Sequence, residues 1–160
     1  MNKPAAVYVE PVLKTLNVRA TPARAFEVFT AGMKRWWIPD FTINPTRAAI
    51  ADVVIEPRAG GRWYERGSDG SECDWGRVLV WEPPARLVLA WQINAQYQFD
   101  AALQTELELC FTALAKGETQ VTLEHRHLER LGTSAADARD QLNGGWGSLL
   151  ERFAATITSS

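Results

Sequence analysis

Hydrophobic and polar positions change period several times along this chain, and each change marks a different kind of element. Between about Val7 and Arg19, Val7, Val9, Val12, Leu16 and Val18 alternate with polar residues around an interruption at Pro11. That period of two predicts a strand, and a proline, which cannot donate a ladder hydrogen bond, predicts an edge position. Thr21-Pro22 then offers a capping hydroxyl and a first-turn proline to a helix with an apolar stripe of Ala25, Phe26 and Phe29. Gly32 interrupts it, and Met33 to Trp37 predicts a second short helix ending before Pro39. A polar loop carrying Phe41 and Ile43 follows.

From Asp52 onward the texture becomes short strands separated by turn chemistry. VVIEP and RWYER flank Gly60-Gly61, and Ser68-Asp69-Gly70 leads into CDWGRVLVWEP, which closes at Pro83-Pro84. ARLVLAWQI comes next, then TELELCFTAL and TQVTLEHRHLE around Lys116-Gly117. Every connection is short enough for antiparallel neighbours, so a meander is the economical topology. Between about Ser134 and Ile157 the period changes again: Leu142, Trp146, Leu149, Leu150, Phe153 and Ile157 fall on one helical face. Ser134 with Asp137 three residues on resembles a capping box. The expected fold is α+β: a curved antiparallel sheet of six to seven strands, two short helices, and a long C-terminal helix covering one sheet face.

Composition narrows the class. At 160 residues the chain has the length of one domain, so 1–160 is expected to form a single unit. A hydrophobic fraction of 46% with 22% charged residues allows a sizeable core. A net charge of -2 with scattered Lys and Arg offers no basic face to a phosphate backbone, so nucleic acid is not expected as a partner. Two cysteines, Cys73 and Cys110, are too few for a disulfide framework, which favours the cytoplasm. The N-terminal residues lack a signal-peptide core, and no apolar run approaches the roughly 18 residues of a span, so membrane insertion is not expected.

The order of several local signatures resembles the START-related (SRPBCC) superfamily of helix-grip domains, and within it the family similar to the activator of heat-shock protein ninety ATPase. The signatures are Thr21-Pro22 with Ala25-Phe26 and Phe29, Trp36-Trp37 before Pro39, Pro57-x-x-Gly60-Gly61, and Gly76-Arg77-Val78. Pro83-Pro84-x-Arg86-Leu87, Trp91, Gly117-x-Thr119-x-Val121-Thr122, and Gly145-Trp146 with Leu149-Leu150 complete the series. The resemblance implies an apolar pocket between sheet and C-terminal helix that takes a small hydrophobic or lipid-like molecule. Polyketide cyclases and aromatases also belong to the superfamily, so fold analogy leaves the chemistry open. A chaperone partner transfers poorly, because the eukaryotic activator resembles this family in one of its two domains and this chain has no room for the other. A homodimer is a further open possibility.

His125-Arg126-His127 is the most pointed polar feature. Strand alternation puts Val121, Leu123, His125 and His127 on one face, so both imidazoles would point to the cavity if the register holds. They are the acid/base candidates if the protein is an enzyme of the cyclase sort, against a structural role at a strand end. No third ligand sits at a spacing that insists on metal, and no metal or cofactor is expected. Seven tryptophans are a high count for this length, with core packing the competing explanation for each. The candidate ligand-binding set is Trp36, Trp37, Trp63, Trp91, Phe111, His125, His127, Trp146, Leu150 and Phe153. Glu65, Glu72 and Asp74 read as surface cross-strand partners of nearby arginines, unless one turns inward opposite His125. Gly144, Gly145 and Gly147 each cost the last helix on the order of 1 kcal/mol relative to Ala, offset either by close backbone packing or by use as a flexible gate. The leading functional expectation is non-catalytic binding of a small hydrophobic molecule.

Overall fold

The computed structural model describes residues 8–159. Val7, expected to open the first strand, lies outside them. Among the described residues, β1 (Val12–Val18) is followed by α1 (Pro22–Thr30), α2 (Met33–Trp36), β2 (Ile50–Ile55), β3 (Arg62–Gly67) and β4 (Glu72–Glu82). Then come β5 (Arg86–Trp91), β6 (Thr105–Ala113), β7 (Thr119–Arg126), a 3-10 segment (Leu128–Ser134) and α3 (Ala135–Ser159).

The sheet is antiparallel and seven-stranded in the order β1-β7-β6-β5-β4-β3-β2. Six strands form a continuous meander, and β1 closes the far edge by pairing with β7, Val12 opposite His125 and Val18 opposite Thr119. Pro11 stands immediately before β1, so the strand begins one residue after the missing donor rather than running through it. The α1 cap is as its sequence dictates: Thr21 Oγ1 accepts from Arg24 N at 3.2 Å, and Pro22 takes the first turn. Two glycines are demanded by geometry. Gly60 turns the β2-β3 hairpin with φ 82°, and a Cβ at Gly76 would fall 1.7 Å from the Ala90 carbonyl oxygen, so only glycine lets β4 and β5 pair there.

α3 packs across β1, α1 and α2, gripped by the sheet. Trp146, Leu149, Leu150, Phe153 and Ile157 are buried along its inner stripe, as the helical period requires. On the outer face, charged cross-strand pairs replace the apolar set. Arg126 donates to Glu106 and Glu108, Arg86 to Glu108, and Arg62 to Asp74 and Glu72. Arg152 of α3 donates to the carbonyls of Trp36 (2.9 Å) and Trp37 (3.3 Å), tying the end of α2 to the helix.

Candidate functional site

Five indoles meet in tilted and T-shaped contacts between sheet and helix. Trp37 lies 4.6 Å from Trp75, Trp75 5.5 Å from Trp63, and Trp63 5.6 Å from Trp91, centroid to centroid. Trp91 is 5.9 Å from Trp146, and Trp146 6.0 Å from Trp37, which closes the circuit. Tilted and T-shaped contacts of this kind stabilise rings beyond the area they bury. The Trp63 indole N–H is buried with no acceptor among the described residues.

Trp146 and Trp91 are tied to His125. The Trp146 indole N–H donates to His125 Nδ1 at 3.2 Å, and His125 Nε2 lies 2.9 Å from Thr105 Oγ1. The Thr105 hydroxyl donates to the Trp91 carbonyl at 2.9 Å, so it accepts from the imidazole, and the proton resides on Nε2. Both ring nitrogens are occupied. Complete burial pushes the imidazole down to about 3, which leaves it neutral at physiological pH. A neutral, saturated imidazole is a brace between two wall tryptophans, with neither a lone pair nor a proton free for transfer.

Glu65 organises the opposite wall. Glu65 stands two residues after Trp63 on the same inward face of β3 and is fully buried rather than at the surface, correcting the cross-strand expectation for this residue. Its carboxylate accepts from Thr42 Oγ1 (2.5 Å), Ile43 N (2.9 Å) and Trp75 Nε1 (3.0 Å). Three donors satisfy the buried charge, and in return the 41–44 loop is pinned beside Trp75. The Trp37 indole N–H adds a bond to the Phe41 carbonyl at 2.9 Å. Glu72 and Asp74 do lie outside, paired with Arg62.

These elements enclose a cavity of about 690 Å³. Trp37, Trp75, Trp91, Trp146, Ile93 and Leu149 form its buried wall. Polar groups sit toward its mouth: Asp40 and Thr42 on one loop, Asn94 and Tyr97 on the β5-β6 loop, and Asp140, Gln141 and Ser148 on α3. Tyr97 is exposed, holds a left-handed φ of 59°, and donates its hydroxyl to Gln141 Oε1 across the mouth. Among the described residues lining the cavity there is no Lys or Arg, so the rim is acidic.

Of the residues singled out in the sequence, Trp37, Trp91 and Trp146 line this cavity. Trp36, Phe111 and Phe153 pack instead around Phe29 under α1, with centroids 5.0, 6.1 and 5.5 Å from it. Trp63 stands behind Trp75 and Trp91, while His125 and Leu150 are buried in the core. His127 departs from the alternation altogether. β7 ends at Arg126, and His127 turns into a left-handed conformation with φ 63°. Its half-exposed ring lies 3.9 Å from Glu106 and 4.0 Å from Glu129, away from the cavity. Trp75, Ile93, Asn94, Tyr97 and Leu149 are wall or rim residues outside the set selected from the sequence. No group of three or more His, Cys, Asp or Glu among the described residues is arranged to hold a metal.

A long helix gripped by an antiparallel sheet, with an indole-walled cavity between them, defines a helix-grip ligand-binding domain. Residues 19–158 match the family described as Activator of Hsp90 ATPase homolog 1-like protein (AHSA1), and the chain belongs to that family. No curated protein matches the chain. Among solved structures it is similar to the anthrahydroquino-gamma-pyrone synthase Txn09, at 36% identity over 94% of this chain and 98% of that one, with a TM-score of 0.67. It is also similar to CalC from Micromonospora echinospora, a self-sacrificing resistance protein, at 30% identity over 94% and 95% of the two chains, with a TM-score of 0.71. Protein NE0264 from Nitrosomonas europaea has the same fold at 14% identity, covering 99% of both chains with a TM-score of 0.66. No helix among the described residues is long and apolar enough to cross a membrane.

Proposed function

We propose that this protein binds a neutral, hydroxylated, fused-ring aromatic molecule in the cavity beneath α3, without chemistry by His125 or His127. The observation that carries the reading is the wall: four indoles face a volume of ligand size, and among the described residues lining it the ionisable groups are carboxylates and a phenol at the rim. Flat aromatic faces complement indoles through stacked and edge contacts. Asp40, Asp140 and the rim amides would accept or donate hydrogen bonds at ring hydroxyls, whereas an anionic lipid headgroup would meet like charge. The similarity to a synthase named for a fused aromatic pyrone supports the same ligand class. Titration with 1,8-dihydroxyanthraquinone should quench tryptophan fluorescence saturably, and dodecanoate should not compete. Tighter binding of dodecanoate than of the anthraquinone would defeat the reading.

The 36% identity to that synthase also favours a second reading, in which the bound molecule undergoes ring closure. Since His125 is neutral and saturated, the proton-handling groups would be Asp40, Asp140 or Tyr97 at the rim. Under this reading Asp40→Asn and Asp140→Asn retain the anthraquinone, and one of them stops turnover of a linear poly-β-carbonyl substrate. Conversion by neither the parent protein nor its variants would eliminate it.

A further inference from the structure

α3 carries glycine at three of its middle positions, 144, 145 and 147, where glycine is the poorest helix former after proline. Two ordinary reasons for a helical glycine are a left-handed φ and a close approach by other atoms, and neither applies. A Cβ at Gly144 would meet nothing within 4 Å. At Gly145 the nearest atom would be Phe41 Cε2 at 3.7 Å, and at Gly147 Lys14 Nζ at 3.8 Å, both ordinary contacts. The expectation that close backbone packing explains these residues therefore fails. What separates them is position: Gly144 and Gly145 line the cavity, and Gly147 does not.

We infer that Gly144 and Gly145 are specificity-determining residues, a side-chain-free window in the α3 wall that leaves room for the rigid edge of the fused-ring ligand proposed above, on which this inference rests. Helical periodicity sets Gln141, Gly144, Gly145 and Ser148 on one stripe facing the cavity. Gln141 and Ser148 stand about 10 Å apart along the axis, the span of a few fused rings. Bare backbone lies between two hydrogen-bonding side chains. Tyr97 occupies the Gln141 carbonyl oxygen, which leaves the Gln141 amide nitrogen to donate to a ligand oxygen. A flexible chain could bend around a methyl group in this window; a rigid ring system cannot.

The test compares Gly144→Ala, Gly145→Ala, Gly144→Leu and Gly147→Ala in thermal melts and in 1,8-dihydroxyanthraquinone titrations. All three alanine variants should melt about 3 °C higher than the parent, because each gains helix propensity and its methyl has room. Gly144→Ala and Gly145→Ala should weaken the anthraquinone several-fold, and Gly144→Leu about tenfold or more, whereas Gly147→Ala should bind as the parent does. Unchanged binding by a folded Gly144→Leu and by Gly145→Ala overturns the window while leaving the cavity reading intact. A parent protein that takes up no anthraquinone overturns both. Equal weakening in Gly147→Ala also overturns it, since the effect would then follow helix stiffness rather than cavity space.

Discussion

The two ends of the space under α3 are built from the same materials and behave oppositely. Beneath α1, Phe26, Phe29, Trp36, Phe111 and Phe153 interlock at centroid distances of 5.0 to 6.1 Å and fill the interior. A few turns earlier on the same helix, Trp37, Trp75, Trp91 and Trp146 surround about 690 Å³. Apolar content does not distinguish the halves, since both are aromatic and buried. Anchoring does. In the filled half the rings rest on one another, and the Trp36 indole N–H donates only to a local backbone carbonyl, that of Val28 at 3.0 Å; in the open half, buried polar side chains from the sheet hold indoles and loop at fixed stations: Glu65 to Trp75 and the 41–44 loop, His125 to Trp146, Thr105 to the Trp91 backbone. A wall that is tied back need not collapse inward.

This contrast can be broken by substitution, in decreasing order of effect. Phe153→Ala should cost about 4 kcal/mol in denaturant unfolding, because the filled half offers nothing to occupy the hole. Glu65→Ala should cost about 3 kcal/mol by stranding buried donors. It should also weaken ligand uptake, which Glu65→Gln, keeping an acceptor, should partly restore. Leu149→Ala, one turn from Phe153, should cost only about 2 kcal/mol, since one side of that leucine already faces free space. If Leu149→Ala is as damaging as Phe153→Ala, the open half is not open.

His125 supplies a pH probe of the anchored half. Its folded value of about 3 lies below the ordinary 6.5, so the folded protein resists a proton that the unfolded chain accepts. Stability from this group is therefore complete above about pH 6.5 and is lost as pH falls toward 3, at up to about 1.4 kcal/mol per pH unit. Denaturant midpoints at pH 7, 6 and 5 should decline in the parent and flatten in His125→Gln. His127→Ala should change stability by less than about 0.5 kcal/mol at any of these values, as its half-exposed ring makes only distant contacts.

Near-neighbour patterns were legible wherever the physics is local. Thr21-Pro22 capped α1, Gly60 turned a hairpin, Pro11 preceded an edge strand, and the stripe from Trp146 to Ile157 buried as its period required. The candidate site was legible only in outline. Trp37, Trp91 and Trp146 could be assigned to an aromatic interior, but their separation from Trp36, Phe111 and Phe153 depends on how α1 and α2 sit against the sheet. No pattern within one element carries that information.

The amino-acid order by itself determined the strands, the helices and the aromatic interior, because alternation, capping and turn chemistry act over a few residues. Tertiary structure decided the rest. Two histidines two residues apart met opposite fates because β7 ends between them: His125 is sealed among Trp91, Trp146 and Thr105, and His127 is turned out to Glu106 and Glu129. Thr42, Ile43 and Trp75 converged on Glu65 to satisfy its buried carboxylate, and the distance from α3 to the facing loop left Gly144 beside empty space and Gly145 in no more than ordinary contact with Phe41. Each of these outcomes depends on residues brought together from far along the chain, and burial acts only once they have met.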